Sequence, residues 1–380
     1  MTELCFGLAL IFLFLAVHPY TTYPLSLTFM RKHTPLPAAP GWRRPSVAIC
    51  MSAYNEERVI VAKVEGLLAM AQTYGPAKIY IYVDGAQDRT AALLEPYRDR
   101  IDLIVSNDRR GKTVGLKGLV GRAEGELLAF TDANVLVPAD SLVKLVEAMQ
   151  DPGVCAASAR LVYSNAGETG ISASGAVYWN IEEHIKALET ETVGMIGVDG
   201  ALFVIERNAY FPPPDELIDD LYVSMCAVLT GKRVVSAQSV LVEERSAARW
   251  SEEFHRKARI SCQAINVHLA LWSRIQKAPA NILYCYMSHR FLKWLTPFTL
   301  LFGSIFLLIA LWLAVGVIAP LGAVLLLALL LFGSAINFPG CRMVVAAMIA
   351  LAGVAYGQIE AVLAHRTYTT WTPAATVRDE

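Results

Sequence analysis

Three charge-free runs bracket a polar middle. No Asp, Glu, Lys or Arg occurs in residues 4–30, 294–341 or 343–359. A hydrocarbon core of roughly 30 Å is crossed by about 20 helical residues. Residues 1–30 are therefore expected to form one N-terminal transmembrane anchor. Residues 294–365 are expected to form about three C-terminal spans, the first two separated around "IAPLG" (318–322) and the last running from Met343 towards Leu363. The first run starts with Glu3 and passes into "HPYTTYP", with neither a positive leader nor a small-residue cleavage site, so it reads as an anchor and not a signal peptide.

The polar middle alternates strand with helix. "SVAICMSAY" is a buried strand pattern ending in polar "NEE", and helical spacing follows through "RVIVAKVEGLLAMAQ". "AKIYIYVDG", "IDLIVSND" and "GELLAFTDAN" predict three more strands, with "KTVGLKGLVGRA" a helix before the last. This repeat predicts an α/β domain over 45–262 with a mostly parallel sheet covered on both faces by helices. Interfacial helices are expected over 263–293, and residues 366–380 form a C-terminal tail.

Composition adds the membrane and removes nucleic acid. Of 380 residues, 55% are hydrophobic and only 18% charged, which is high for a soluble enzyme. Arg31, Lys32, Arg43 and Arg44 follow the anchor, and His289, Arg290 and Lys293 precede the second span, so the positive-inside rule places 31–293 in the cytoplasm. Arg342, between the third and fourth spans, agrees, and four spans put both termini outside. The seven Cys show no CxxC spacing, and a reducing cytoplasm gives them no disulfide role. With a net charge of −1 and no basic run interleaved with aromatics, no nucleic-acid partner is expected.

In a parallel sheet, ligands bind beyond the C-terminal ends of the strands. Asn55, Asp84 and Asp132 all fall there. Asp132 is followed two positions later by Asn134, and two oxygen donors facing one way suit Mg²⁺ or Mn²⁺ shared with a diphosphate. Each motif alone is also an ordinary turn at a strand end. Their order along one sheet is what points to a site.

That ordered set, "SAYNEE" (52–57), "VDGAQDRT" (83–90), "RRGK" (109–112), "FTDAN" (130–134) and "DELIDDLYVSM" (215–225), resembles the family 2 glycosyltransferases. Within them it is most similar to the membrane-bound branch of cellulose, hyaluronan and poly-N-acetylglucosamine synthases. The resemblance implies a GT-A-type domain for a nucleotide-diphosphate sugar. By motif matching it puts Ala53, Tyr54, Asn55 and Glu56 at the nucleoside, Asp84 at the base and Lys112 near the nucleotide. Asp132 and Asn134 take the metal-binding position. Asp220 is implied as the catalytic base, with Asp219 beside it in a helix-capping or orienting role.

On the acceptor side, "GVDGALFVIERNAY" (197–210) resembles the family's glycine-containing strand, ending in Arg207. Many polymer synthases then carry Gln-x-x-Arg-Trp on an interfacial helix. This chain offers two incomplete candidates, "SAARW" (246–250) and "RKARI" (256–260); the second aligns Arg256 and Arg259 with the Gln and Arg, as a diphosphate and acceptor clamp, and Ile260 with the Trp. Ile cannot stack on a sugar ring, which argues against long-chain processivity. The tail "RTYTTWTPAATVR" resembles one found in related exopolysaccharide transferases.

The leading expectation is an inverting transferase at the cytoplasmic membrane face. It would move sugar from a UDP-sugar to a lipid-linked or growing oligosaccharide, with membrane lipids around it. A processive synthase that extrudes its polymer is the alternative. A catalytically silent membrane subunit or transporter is disfavoured by the presence of Lys112, Asp132 and Asp220, and by the absence of charge within the long apolar stretch.

Overall fold

In a computed structural model describing residues 1–38, 41–165, 168–247 and 249–370, one seven-stranded sheet carries the polar middle. The strands are β1 (Val47–Ala53), β2 (Ala77–Asp84), β3 (Asp102–Ser106), β4 (Leu127–Thr131), β5 (Val154–Tyr163), β6 (Leu202–Glu206) and β7 (Arg233–Glu244). Their order is β3-β2-β1-β4-β6-β5-β7. Pairs β2/β3, β1/β2, β1/β4 and β5/β7 are parallel, while β6 runs antiparallel to both β4 and β5. The sheet is thus mostly parallel and the fold α/β, as expected.

The first half follows its apolar pattern closely. Every residue of "LLAFT" in β4 is buried, the composition of a strand covered on both faces. The helix Ile60–Tyr74 turns Ile60, Val64, Leu67 and Met70 onto the sheet. On the opposite face Leu116 and Leu119 of the helix Lys112–Arg122 join the second core.

Among the described residues four helices are long and apolar enough to cross a membrane, one N-terminal and three C-terminal. The first is Thr2–Val17, shorter than the expected 1–30, because the chain turns at His18–Tyr20 and a separate short helix, Thr22–Thr28, follows. The helix Leu292–Val315 ends at Gly316 with φ +69°, slightly earlier than expected. Residues 318–322 instead open the next helix, Ile318–Ala335, where Pro320 lies in the first turn and leaves no bond unmade. The last is Pro339–Leu363. One amphipathic helix, Trp250–Ile275, runs through residue 262, and the segment from Ala280 continues into the membrane helix.

The helix Trp250–Ile275 lies hard against the last membrane helix. Glycines at 353 and 357 allow it: a Cβ on Gly353 would meet the Phe254 carbonyl at 2.7 Å, and one on Gly357 the Ala258 carbonyl at 2.0 Å. Small residues four apart permit such backbone contact between helices. The arginines at 256 and 259 are thereby held at a fixed height relative to the membrane segment.

Candidate active site

The ends of β1, β2 and β4 open on one cavity of about 1700 Å³. At its head Lys112, the first residue of its helix, reaches Asp132 Oδ1 at 2.8 Å and Asp219 Oδ2 at 3.3 Å. Burial pulls the Lys112 ammonium down, but Asp132, Asp219 and Asp220 together hold it well above its usual range, so it stays charged. Gly200 closes the group from below. A Cβ there would stand 2.9 Å from Asp132 Oδ2, 3.1 Å from Lys112 Nζ and 3.3 Å from Asp220 Oδ2.

Asp219 and Asp220 start the helix Asp219–Val228. Asp220 Oδ1 accepts the Leu221 N–H at 2.6 Å, and Asp219, expected to cap or to orient, pairs with Lys112 at 3.3 Å. Burial first, then the Asp219 charge, pushes the Asp220 carboxyl up to about 7. A carboxylate poised there is matched to proton transfer near neutrality.

The nucleoside end is built by alternation along β1 and beyond. Ser52, Tyr54 and Glu56 line the cavity. Ala53 is buried, and Asn55, in a left-handed conformation (φ 53°), accepts the Gln87 N–H at 2.8 Å. Asp84 is almost fully buried and accepts two backbone N–H groups, from Arg110 at 2.7 Å and Gly111 at 2.9 Å. It thus shapes the "RRGK" loop as well as lining the cavity. The Arg109 guanidinium stacks over the Tyr54 ring, 3.6 Å from its centroid, and makes a flat platform at the rim.

Arg256, Arg259 and Ile260 all line the same cavity from the amphipathic helix. Arg256 donates to the Tyr163 hydroxyl at 3.2 Å and Arg259 to Gln263 at 3.2 Å. Arg207 is the correction. Its guanidinium donates to the carbonyls of Gly125, Ala123 and Val120 at 2.6, 2.9 and 3.3 Å, tying the end of the helix Lys112–Arg122 to β6. The three carbonyls engage all three of its nitrogens, so it acts as a structural clamp, and it is not among the residues that line the cavity.

Two participants carried no signal in sequence, while Gly200 was legible only as part of the glycine-containing strand motif. Glu244, at the end of β7, accepts from Asn134 Nδ2 at 3.0 Å, and burial raises its carboxyl above the usual range. Lys63 is 2% exposed and donates to Thr131 Oγ1 at 2.8 Å and the Val135 carbonyl at 2.7 Å, gripping the strand end on both sides of Asp132. The tail also arrives here. Gln263 Nε2 holds the Tyr368 carbonyl at 3.0 Å, and residues 366–370 line the cavity; residues 371–378 of the tail motif lie outside the described residues.

The donor set accommodates a divalent ion only with help from a ligand. Among the described residues no three His, Cys, Asp or Glu side chains are grouped to hold a metal. Asp132 is 35% exposed, and its Oδ2 faces the space that Gly200 leaves free. One carboxylate beside a carboxamide is the sparse protein contribution typical of an ion shared with phosphates.

Residues 48–210 match Glycosyl transferase family 2. A curated N-acetylglucosaminyltransferase of Rhizobium sp. is 28% identical over 134 residues, covering 34% of this chain and 29% of the relative. A beta-monoglucosyldiacylglycerol synthase of Trichormus variabilis is 29% identical over 129 residues, covering 33% and 28%. The chain therefore spans less than a third of these relatives' lengths. A mannosyltransferase from Pyrobaculum calidifontis, solved with GDP-Man and Mn²⁺, shares the fold at TM-score 0.71 and 19% identity, over 93% of this chain and 99% of that one.

Proposed function

We propose that this protein is a membrane-anchored, inverting glycosyltransferase that moves a sugar from a UDP-sugar to a lipid-linked or growing oligosaccharide at the cytoplasmic face. The observation that carries the reading is the meeting of Lys112, Asp132, Asp219 and Asp220 around Gly200 at the head of one cavity. The names of the curated relatives support sugar transfer, and the GDP-Man of the Pyrobaculum enzyme supports a nucleotide-diphosphate sugar as the donor class.

In this mechanism Tyr54 and Arg109 receive the base and Asp84 holds the loop behind it. Lys112 and Arg259 face the diphosphate. Asp132 and Asn134 would hold Mg²⁺ or Mn²⁺, which when bound neutralises charge on the leaving diphosphate. Asp220 accepts the acceptor hydroxyl's proton as its oxygen attacks C1 from the face opposite the diphosphate. The configuration at C1 inverts. Ile260, in place of a stacking aromatic, favours few additions over a long polymer.

The test is turnover of a panel of nucleotide-sugars, including N-acetylglucosamine and mannose donors, by the full chain in lipid with mass analysis of the product. Release of nucleotide with one or a few sugars added is expected. A long ladder would move the reading to a processive synthase, and no turnover with any donor would overturn it.

A further inference from the structure

The cavity does not stop at the catalytic carboxylates. It continues past Tyr178 and Lys293 into the membrane-spanning region, where Val17, Leu300, Ala346, Ala350 and Leu351 line it. That inner arm is apolar. A glycan passing through it would exchange water for methyl groups without compensating hydrogen bonds, whereas an alkyl or isoprenoid chain would lose nothing there.

Two ammonium groups stand at the neck between the arms. Lys257, from the amphipathic helix, lies 4.8 Å from the Tyr178 ring centroid, and Lys293, at the start of a membrane helix, 5.8 Å from the same ring. Lys293 is paired with Glu182 at 2.7 Å and Lys257 loosely with Glu253 at 3.6 Å. Arg290 reaches the same Glu182 at 3.4 Å. Glu182 is thus shared by Lys293, Arg290 and His289, and Glu253 by Lys257 and Arg256, so basic groups outnumber the carboxylates they pair with. Burial lowers the Lys257 ammonium below its usual range, and the Arg256 charge beside it adds to the fall. Ammonium groups are common phosphate partners, and here two of them border the apolar arm.

Resting on the transferase reading above, we infer that the acceptor is a lipid phosphate ester carrying a sugar, its phosphate against Lys257 and Lys293 and its hydrocarbon chain in the arm lined by Ala346, Ala350 and Leu351. The attacking hydroxyl then lies on the sugar beyond the phosphate, toward Asp220. Its oxygen bonds to donor C1, the C1–O bond to the diphosphate breaks with its electron pair leaving on the diphosphate, and the hydroxyl proton passes to Asp220.

The full chain in phosphatidylcholine nanodiscs is labelled with an isoprenyl phosphate bearing a diazirine in its chain, and the adducts are mapped. Adducts are expected on 346–354 and 296–300. Unlabelled isoprenyl phosphate should suppress them, and neither the corresponding isoprenol nor inorganic phosphate should. Lys257→Gln with Lys293→Gln should weaken labelling by about tenfold or more, the loss expected when a charged hydrogen-bonding pair is removed. Ala350→Trp, which leaves the charges alone, should block the long-chain probe and spare a short-chain isoprenyl phosphate.

Equal suppression by the isoprenol would remove the phosphate from the inference. Full suppression by inorganic phosphate would leave a free-anion site, and adducts confined to the outer lipid-facing surface would overturn the site altogether. Nucleotide-sugar binding by the wild-type chain is measured in parallel. Loss of that binding sinks the transferase reading, while the adduct map alone decides the lipid site.

Discussion

The Asn134 carboxamide donates to Glu244 at 3.0 Å, across the gap between the end of β4 and the end of β7. This pair explains why the second residue of the motif is an amide. Asp at 134 would set a second negative charge against a buried carboxylate.

Asn134→Asp should therefore weaken the enzyme, although it would add a charge to the metal site. Like charges in contact cost on the order of 1 to 3 kcal/mol when buried, so an increase of about tenfold or more in donor KM is expected. Adding Glu244→Gln should restore most of it. A single Asn134→Asp that binds metal and donor more tightly would show that the bond to Glu244 does not decide which residue is tolerated at 134.

Divalent ions should be essential. Chelation should abolish transfer, Mg²⁺ or Mn²⁺ should restore it, and Asp132→Ala should lower donor affinity measured by calorimetry. Undiminished turnover in chelator would leave Lys112 and the arginines as the sole diphosphate clamp.

Gly200→Ala tests how tightly the catalytic group is packed. Its methyl would press at once on Asp132, Lys112 and Asp220. Misplacing reacting groups by about 1 Å can cost about 10²-fold, so a loss of that order in kcat is expected with the thermal unfolding temperature nearly unchanged. Retained activity would mean that the three side chains move aside freely.

Gly357→Val addresses the coupling between membrane and active site. The added side chain would overlap the Ala258 carbonyl, and overpacking of this kind typically costs about 1 to 3 kcal/mol. The unfolding temperature in detergent should fall, and donor affinity with it, because Arg256 and Arg259 lie on the displaced helix. A stable variant with lost donor affinity would place the effect in the register of the two helices, and an unchanged one would refute the contact.

Much of this was legible in the sequence where local pattern decides structure. β1 to β4 are short apolar runs that end at polar turns, and the carboxylates at those ends stand where a parallel sheet gathers ligands. β5 and β7 were missed because "VCAASARLVY" and "RVVSAQSVLVEE" dilute their apolar residues with Ser, Arg and Gln, which suits strands open on part of one face. Long-range pairings were invisible as well. Nothing near Glu244 in sequence announces Asn134, and nothing near Arg207 announces that a helix end with three free carbonyls lies beneath it. The pairing of Asp219 with Lys112 depends on how far the lysine reaches, which spacing alone does not give.

Asp220 is the group on which proton transfer depends. Asp220→Asn keeps the shape and the bond to Leu221 but takes up no proton, so kcat should fall by about 10² to 10⁴, with nucleotide affinity nearly kept. The pH dependence follows from the direction of its shift. Its carboxyl is raised to about 7, by burial first and the Asp219 charge second, and only the ionised form serves as base. kcat should therefore climb with pH through about 7 and level off above it, and this rising limb should be absent in Asp220→Asn. Asp219→Asn removes the negative neighbour that helps raise Asp220, so the limb should move to lower pH. Because it also takes a partner from Lys112, donor KM should rise. A limb that stays in place in Asp219→Asn, or survives in Asp220→Asn, would assign the titration to another group and the base to another residue.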